Sequence, residues 1–441
     1  MKDKTHPITI RARWDQAQVP TGSEAQRGLL LEIEAPKRFI DESVERPPVN
    51  VALVIDRSGS MSGQPMQAAI EAAVGVTEQL RDNDRLSVVC YDSQVDVLVK
   101  GALMSPSGRH RAELKIRSLR ARGTTDLSGG WQQGANCVAQ VMEEHEFSSG
   151  HVILLSDGCA NVGECDPEKL GELSAGLAER SVTTTCVGIG EHYSLLQMTA
   201  IAEAGQGEMH QSSKPYEIVE VLLGEFGEQT QIVARNFSIH LKGMGMHEAQ
   251  QLTRYRKMPV NGRREYFIGN LVGGQSRRLA FLVEYPPMGE EVTKQFTATA
   301  TWLDPETALE ECTVAESFEL EFVSPDRFDK NARDTKVAEI IAEIWMARTG
   351  YEAMQYNERG QFREAEASFD VEEAKFCRMV DRLESKQQIL ERRSEARAAT
   401  SSHWDGLSKK EAMLLARKRM RSKPDYRAAH EKSDWTDFKK D

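Results

Sequence analysis

The chain has 441 residues, of which 40% are hydrophobic, and its 56 basic and 68 acidic side chains give a formal net charge of −12. This length exceeds one ordinary domain and this hydrophobic content can build compact cores, so we expect two or three domains. The acidic balance argues against a general nucleic-acid-binding surface, which needs an excess of Lys and Arg. No run approaches the roughly 18 apolar residues of a membrane span, and the first six residues lack the apolar core of a signal peptide. We therefore expect a soluble, cytoplasmic protein.

Residues 1–46 contain two predicted strands, Ile8 to Trp14 and Gly28 to Glu34. Two strands alone are marginally stable in water, and no third strand lies nearby in the sequence. We expect them to pair with strands that follow the next domain. That domain would then be an insertion into an antiparallel β-sandwich.

An apolar run from Val49 to Ile55 is typical of a parallel strand buried on both faces. Asp56, Ser58 and Ser60 follow it, at the edge of the sheet where open α/β folds place their ligands. The Gly-Lys-Ser/Thr ending of a phosphate-binding loop is absent from this segment. Two hydroxyls and a carboxylate suit Mg²⁺ or Mn²⁺, but an octahedral ion needs more ligands than one loop supplies.

Two later segments supply further oxygen atoms at predicted loop positions. Asp157 ends a second buried run, His151 to Ser156, and Thr125 lies just before a helix predicted to begin near Ser128. Strands and helices alternate around these segments, as a doubly wound, mostly parallel sheet requires. The other elements predicted here are strands at Arg85 to Tyr91, Val95 to Lys100 and Val182 to Ile189, and helices at Ser107 to Arg120, Tyr193 to Glu203 and Tyr216 to Gly227.

The order Asp56-x-Ser58-x-Ser60, then Thr125 within Gly-Thr-Thr-Asp-Leu, then Asp157 within Leu-Leu-Ser-Asp-Gly resembles a von Willebrand factor A domain with a complete metal-ion-dependent adhesion site. The resemblance covers residues 47–229 and implies a Rossmann-like α/β fold. The other interpretation is that these Ser, Gly and Asp residues only form turns.

This resemblance implies a role for each of the five residues. Ser58 and Ser60 would bind the metal directly, and Thr125 directly or through water. Asp56 and Asp157 would act through water or hydrogen bonds. Because neutral hydroxyls leave Mg²⁺ or Mn²⁺ electrophilic, we expect an Asp or Glu carboxylate from a protein partner to complete the coordination. In some members of the family the last helix of the domain moves on binding.

Residues 230–325 change to a strand pattern, with β-branched and aromatic residues alternating between Gly, Pro and Asn. With the N-terminal strands they give about seven strands, the number typical of an antiparallel sandwich. We interpret this region as a rigid platform. The predicted strands are Phe237 to Leu241, Arg264 to Gly269, Arg277 to Tyr285, Lys294 to Trp302 and Val314 to Phe322.

Residues 326–398 have helical periodicity, and the segment from Tyr356 to Phe369 resembles the middle of one tetratricopeptide repeat. A single copy does not make an array, so we predict a helical hairpin. Residues 399–441 form a charged tail with a basic stretch from Lys409 to Lys423. This stretch could dock an acidic partner or a nucleic-acid backbone, or it could be only a solvated helix face. The whole arrangement resembles a bacterial group of soluble A-domain proteins.

The seven cysteines are an odd number spread through the chain, which does not indicate a disulfide framework. Cys90, Cys137 and Cys186 lie in predicted strands and a helix, so we expect buried free thiols. Cys159 and Cys165 are different because they follow Asp157 in the same loop. They could form a redox-sensitive pair.

No His-Glu-x-x-His or Gly-x-Ser-x-Gly motif is present, and we predict that the protein is not an enzyme. Our first hypothesis is a metal-dependent protein-binding module within a multi-protein assembly. The second is a scaffold or regulatory subunit that acts through the sandwich or the helical tail, with a structural metal site. The third is a metal-dependent hydrolase in which Glu164 or Asp166 serves as the base.

Overall fold

A computed structural model describes residues 8–36, 48–190, 192–212, 221, 231–243, 249–260, 263–305, 311–404 and 406–421. The chain divides into two compact units. The central unit comprises residues 40–231, and the flanking unit combines residues 1–39 with residues 232–441. Within the described ranges, no helix has both the length and the low polarity needed to cross a membrane.

The chain begins with three strands of the flanking unit, β1 (Thr9–Trp14), β2 (Gln18–Pro20) and β3 (Ala25–Glu34). Six strands of the central unit follow: β4 (Asn50–Asp56), β5 (Arg85–Tyr91), β6 (Val95–Leu103), β7 (Gly150–Ser156), β8 (Val182–Ile189) and β9 (Gln206–Ser212). Its helices are α1 (Gln64–Gln79), α2 (Pro106–Arg117), α3 (Leu127–His145), α4 (Pro167–Glu179) and α5 (Leu195–Ala204).

The central sheet has the order β6-β5-β4-β7-β8-β9 and is parallel except for the antiparallel edge pair of β5 with β6. Every residue of β4, β7 and β8 is buried, as expected for parallel strands covered by helices on both faces. The predicted α/β fold class, a doubly wound and mostly parallel sheet, is therefore confirmed.

Helix α3 packs unusually close to this sheet because glycines face it. A Cβ atom on Gly130 would lie 2.3 Å from the Tyr91 ring, and one on Gly134 would lie 2.3 Å from a methyl group of Val54. The helix begins at the capping residue Asp126, whose side chain accepts a hydrogen bond from the Gly129 N–H. The capping residue and the glycines together fix the start of α3, and with it the position of the preceding loop, at the edge of the sheet.

One strand of the central unit was not predicted. β9 has the sequence Gln-Gly-Glu-Met-His-Gln-Ser, which lacks the apolar or β-branched run of its neighbours. It pairs in parallel with β8 at the edge of the sheet. The helix predicted at Tyr216 to Gly227 lies outside the described residues, apart from the helical position 221.

The flanking unit continues with seven further strands: β10 (Ile232–Lys242), β11 (Ala249–Gln251), β12 (Arg256–Val260), β13 (Arg263–Val272), β14 (Ser276–Tyr285), β15 (Val292–Leu303) and β16 (Glu311–Val323). They form two sheets, ordered β1-β3-β14-β11 and β12-β13-β10-β15-β16-β2. Of the two predicted N-terminal strands, β3 pairs with a later strand, β14, as expected, whereas β1 pairs with β3. The short strand β2, which was not predicted, is parallel to β16.

One hydrophobic core lies between these two sheets. Trp14 of β1 meets Phe296 of β15 edge-on at 5.5 Å between ring centroids, and Phe296 stacks on Phe318 of β16 at 5.4 Å. Leu31 and Phe281 are fully buried in the same cluster. The two sheets therefore bury their facing sides against each other.

The C-terminal part is helical, with α6 (Thr335–Glu358), α7 (Phe362–Asp370), α8 (Glu373–Val380), α9 (Lys386–Thr400) and α10 (Gly406–Arg421). Val337, Ile341 and Trp345 of α6 share a core with Leu30 of β3 and Leu282 of β14. The helices thus cover the second face of the four-stranded sheet.

Two features differ from the predicted single hairpin and charged tail. The described residues from 311 to 421 contain five helices, and the basic stretch begins inside α10, where Met413, Leu414 and Met420 are buried. Lys and Arg raise the apparent polarity of this segment, although their aliphatic stems pack against apolar neighbours. Residues 422–441, which hold the rest of the predicted tail, lie outside the described part of the chain.

Candidate metal centre

The structure brings the five predicted site residues together at the carboxyl edge of the central sheet. Asp56 ends β4 and Asp157 follows β7, and these two strands are neighbours running in the same direction. Ser58 and Ser60 lie in the turn after β4, and Thr125 lies in the loop before α3. Neighbouring parallel strands therefore place the oxygen atoms of three separate segments at one position.

Hydrogen bonds fix the carboxylates behind the hydroxyls. Asp56 is fully buried and accepts one bond from the Ser58 N–H at 2.8 Å and one from the Ser156 hydroxyl at 2.6 Å. The Ser60 hydroxyl donates to Asp157 Oδ1 at 2.8 Å, and the hydroxyl oxygens of Ser58 and Ser60 are 3.0 Å apart. Ser60 is exposed, whereas Ser58, Thr125 and both carboxylates are buried, so the Ser60 hydroxyl forms the solvent-facing side of the site.

Gly158 marks the point where the three segments converge. A Cβ atom built there would lie 3.6 Å from both Ser60 Oγ and Thr125 Oγ1, and 3.8 Å from Asp56 Oδ2. A side chain at position 158 would occupy the space between these oxygens. Glycine leaves that space open beside them.

Burial dominates the ionisation of both carboxyl groups. It raises the pKa of Asp157 to about 6, and the neighbouring charge of Asp56 adds to the effect. Burial also raises the pKa of Asp56, despite the hydrogen bonds from Ser156 and Ser58. A cation placed among these oxygens would favour the ionised form of both groups.

The donor set fits a hard divalent cation. Hydroxyl and carboxylate oxygens are the ligands that such ions prefer. Across the described ranges, no group of three or more His, Cys, Asp or Glu residues is arranged to hold a metal. An ion at this edge would therefore be held mainly by hydroxyls, with the two aspartates as supporting charges.

A charged cluster beside the site holds two of its loops together. Arg57 Nε lies 2.8 Å from Asp92 Oδ2, and Arg122 Nε lies 2.7 Å from the same oxygen. Both arginines also contact Asp96. Burial alone would raise the pKa of Asp92, but hydrogen bonds from Arg122 and the Gln94 N–H and the charge of Arg57 hold it below its usual value.

Backbone hydrogen bonds join the same two loops. The Gly59 N–H donates to the Gly123 carbonyl at 3.1 Å, and the Arg122 N–H donates to the Arg57 carbonyl at 2.6 Å. The Asp126 N–H donates to the Asp92 carbonyl at 2.8 Å. The turn after β4 and the loop before α3 are therefore connected by backbone hydrogen bonds as well as by ion pairs.

Sequence reasoning missed Asp92, Ser156 and Asn161 as parts of the site. Asp92 directly follows the buried strand β5, so a polar residue at a strand end could have indicated it. Ser156 ends β7 and donates a hydrogen bond to Asp56, but nothing in the sequence distinguishes it from other strand residues. Asn161 contacts Thr125 across 36 positions, which nothing in the sequence indicates.

The two acidic residues considered as a base are engaged in local structure. Glu164 accepts hydrogen bonds from the Cys165 and Asp166 N–H groups at 3.0 and 2.9 Å. Asp166 caps α4 by accepting from the Glu168 N–H at 2.8 Å. These contacts account for both carboxylates as loop and cap residues.

All seven cysteines are free thiols, and Cys90, Cys137 and Cys186 are buried as predicted. Burial raises the pKa of Cys90 to about 11. Cys159 is exposed and Cys165 is half-buried, with their sulfur atoms near the carbonyls of His192 and Gly163 respectively. Pairing of these two thiols stays a prediction.

Residues 50–220 match the family model of the von Willebrand factor type A domain. The central unit has the von Willebrand factor type A fold. The A domain predicted from the sequence is therefore present.

Several curated proteins are similar to this chain. An uncharacterized protein of Synechocystis sp. is 29% identical over 219 residues, covering 49% of this chain and 50% of that protein. The uncharacterized protein YfbK of Escherichia coli is 28% identical over 315 residues, covering 66% and 51%. Human inter-alpha-trypsin inhibitor heavy chain H3 is 33% identical over 138 residues, covering 30% and 16%. The matches span about half of the two bacterial relatives and much less of the human one.

Two solved structures are similar over nearly the whole chain. A von Willebrand factor type A protein from Catenulispora acidiphila has a TM-score of 0.63 at 19% identity, covering 95% of this chain and 98% of that one. The ArnB paralog VWA2 from Sulfolobus acidocaldarius has a TM-score of 0.59 at 16% identity, covering 94% and 98%. At these identities the likeness concerns the fold alone.

Proposed function

We propose that the A domain is a divalent-metal-dependent protein-binding module that works within a multi-protein assembly. Its ion, Mg²⁺ or Mn²⁺, is held by Asp56, Ser58, Ser60, Thr125 and Asp157, and an Asp or Glu carboxylate of the partner completes the coordination. The observation that carries this proposal is the convergence of oxygen atoms from three segments on the space beside Gly158. The fold and the relatives of the A domain support it.

The hydrogen bonds of the site suit this role. Because the Ser60 hydroxyl donates its proton to Asp157, it can accept from the Ser58 hydroxyl at 3.0 Å and keep a second lone pair for a cation. Asp56 holds the turn through the Ser58 N–H, so it orders the hydroxyls without facing the solvent. The bound ion would supply the positive charge that attracts a partner carboxylate.

The acidic protein as a whole offers no general attraction for a carboxylate. Its formal charge of −12 would repel an acidic partner at long range. A local dication at a hydroxyl-lined site therefore makes recognition depend on the metal. We accordingly expect partner binding to be lost completely on chelation, instead of being weakened in part.

The test is capture of partners from a native cell extract by the full-length chain, with Mg²⁺ or with EDTA. Wild type, Asp157→Ala and Ser60→Ala are compared. Asp82→Ala is the control, because Asp82 is an exposed carboxylate in the loop before β5, at the opposite edge of the sheet. We expect a partner that is retained by wild type and the control only with Mg²⁺ and is lost in both site variants.

A partner retained in EDTA and by Asp157→Ala would contradict this function and favour the scaffold hypothesis. Truncation after Val323 is unsuitable as a test, because it would uncover Leu30 and Leu282, which the helices bury. The expected cytoplasmic location belongs to the same proposal, and cell fractionation tests it.

A further inference from the structure

The loop of residues 158–166, called here the Asp157 loop, is held from one side by a single buried amide. Gln197 of α5 is 8% exposed. Its Oε1 accepts from the Ala160 N–H at 3.0 Å, and its Nε2 donates to the Cys165 carbonyl at 2.9 Å. One side chain therefore brackets the loop near both of its ends.

The other side of the Asp157 loop lies against the start of α3. The Glu164 N–H donates to the Ser128 hydroxyl at 2.9 Å. Gly163 has a φ of +75°, and a Cβ atom there would lie 2.3 Å from Ser128 Oγ and 2.6 Å from Asp126 Oδ1. Glycine is required at this position both for its backbone conformation and for this close approach.

Asn161 lies between these anchors and bonds to Thr125 in both directions. The Thr125 N–H donates to Asn161 Oδ1 at 3.2 Å, and the Asn161 N–H donates to the Thr125 carbonyl at 3.3 Å. Thr125 itself is 5% exposed. This reciprocal pair fixes both backbone polar groups of Thr125, so the position of its hydroxyl is set by the Asp157 loop.

We propose that Asn161 is a positioning residue of the metal centre, which acts through Thr125 and holds its hydroxyl in line with that of Ser60. The inference rests on the proposed function of the site. It assigns to Asn161 the task of coupling the segment after β7 to the segment before α3.

The side-chain oxygen of Asn161 is the essential atom in this proposal. Removing it leaves the N–H of a buried residue without its acceptor, which is unfavourable. The Asn161 side chain is itself exposed, so its replacement removes little packing from the core. A loss of metal affinity in a variant that still folds would therefore reflect the position of Thr125.

The experiment measures Mn²⁺ affinity by calorimetric titration of the full-length chain. Asn161→Leu removes the acceptor, and Asn161→Asp keeps it. Residues that orient metal ligands typically contribute roughly 10–100-fold to metal affinity, so we expect Asn161→Leu to weaken Mn²⁺ binding about tenfold and Asn161→Asp to retain it. Gln67→Leu is the matched control, since Gln67 is an exposed amide on α1 that bonds only locally to Glu71.

A double-mutant cycle separates positioning from a general structural effect. In a Thr125→Ala background, Asn161→Leu should cause no further loss of Mn²⁺ affinity. A second readout needs no metal: hydrogen–deuterium exchange of the Thr125 amide in the metal-free protein should be faster in Asn161→Leu and unchanged in Gln67→Leu.

The outcomes are distinct for the two proposals. Wild type that does not bind Mn²⁺ overturns the proposed function and the role of Asn161 with it. If wild type binds Mn²⁺, two results would overturn the positioning role alone. One is an Mn²⁺ affinity of Asn161→Leu within twofold of wild type. The other is that Asn161→Leu lowers the Mn²⁺ affinity equally in the wild-type and the Thr125→Ala backgrounds.

Discussion

Arg57 and Asp92 form a buried ion pair at the carboxyl edge of the central sheet, with 2.8 Å between Nε and Oδ2 and side-chain exposures of only 9% and 2%. Arg57 stands between Asp56 and Ser58 in the turn after β4, whereas Asp92 follows β5. Since Arg122 bonds to the same carboxylate oxygen, this pair supports two of the three segments that meet at the candidate metal site.

Replacing Asp92 should therefore damage the fold as well as the site. Asp92→Ala leaves the buried Arg57 with fewer counter-charges, and breaking a buried pair costs about 3 kcal/mol or more. We expect a loss of that size in the free energy of unfolding of the A domain, measured by chemical denaturation. Asp82→Ala removes an exposed ion pair and should change stability by about 0.5 kcal/mol or less. Equal losses in the two variants would contradict the supporting role of Asp92.

Gly158→Ala should weaken metal binding without unfolding the protein. The added methyl group would lie at ordinary contact distances of 3.6–3.8 Å from three oxygens, so the fold can accept it. It would occupy the space where those oxygens converge. We expect Mn²⁺ affinity to fall by about tenfold or more, the scale of other disturbances to metal-site surroundings.

The control for this variant is Gly176→Ala in α4, where no heavy atom lies within 4 Å of the position that the added methyl group would take. It should leave Mn²⁺ affinity unchanged and stabilise the helix by about 0.5–1 kcal/mol. Unaltered Mn²⁺ binding by Gly158→Ala would show that the ion lies elsewhere.

Metal affinity should decrease as the pH falls through about 6. Burial and the charge of Asp56 raise the pKa of Asp157 to about 6, so below this pH a proton competes with the cation for the same negative charge. Titrations of Mn²⁺ between pH 7.5 and 5 should show a loss that approaches about tenfold per pH unit below the pKa of Asp157. In Asp157→Asn the affinity should be lower, and this step should be absent.

The stability of the metal-free protein should respond to pH in the opposite sense. The pKa of Asp157 rises from 3.8 in the unfolded chain to about 6 in the folded one. Between these two values the folded state binds more protons, so this carboxyl group lowers stability as the pH rises through the window. Thermal unfolding in EDTA should show this slope in wild type and a shallower one in Asp157→Asn. If stability changes with pH equally in wild type and in Asp157→Asn, other titrating groups cause the change.

The close packing of α3 on the sheet gives a further prediction. A Cβ atom on Gly130 would lie 2.3 Å from the Tyr91 ring, which is fully buried. Overpacking of this kind costs about 1–3 kcal/mol. Gly130→Ala should lower the free energy of unfolding by that amount, measured by denaturation against Gly176→Ala. A neutral result would mean that the helix can shift outward.

The sequence was sufficient to predict that the candidate site residues Asp56, Ser58, Ser60 and Asp157 lie at one sheet edge, because they follow buried strands. The apolar runs of β4 and β7 define where each strand ends, and the oxygen side chains come immediately afterwards. Parallel neighbours then place those ends together. The contacts that join the loops were not predictable, since Asn161 bonds to Thr125 across a distance that carries no sequence pattern. The position of Asp92 at a strand end was visible in the sequence, but its bond to Arg57 was not.

Among the elements that the sequence did not predict, β9, β11 and α10 share a physical cause. β9 is polar, and β11 has only three residues, so each becomes a strand through its pairing partner instead of its own composition. Helix α10 was hidden by its basic residues, although its Met and Leu side chains are buried against the rest of the flanking unit. Tertiary context decided these cases.

The pairing of β3 with β14 has a consequence for synthesis of the chain. Leu31 lies opposite Leu279 in this pair, so a ribosome that adds roughly 5–20 residues per second makes the partner of β3 roughly 12–50 s after β3 itself. The whole A domain emerges during this interval and can complete its own sheet first. Until then the N-terminal strands have unpaired edges, which are open to a chaperone or to a wrong partner. We therefore expect the nascent chain to fold from the inside outward.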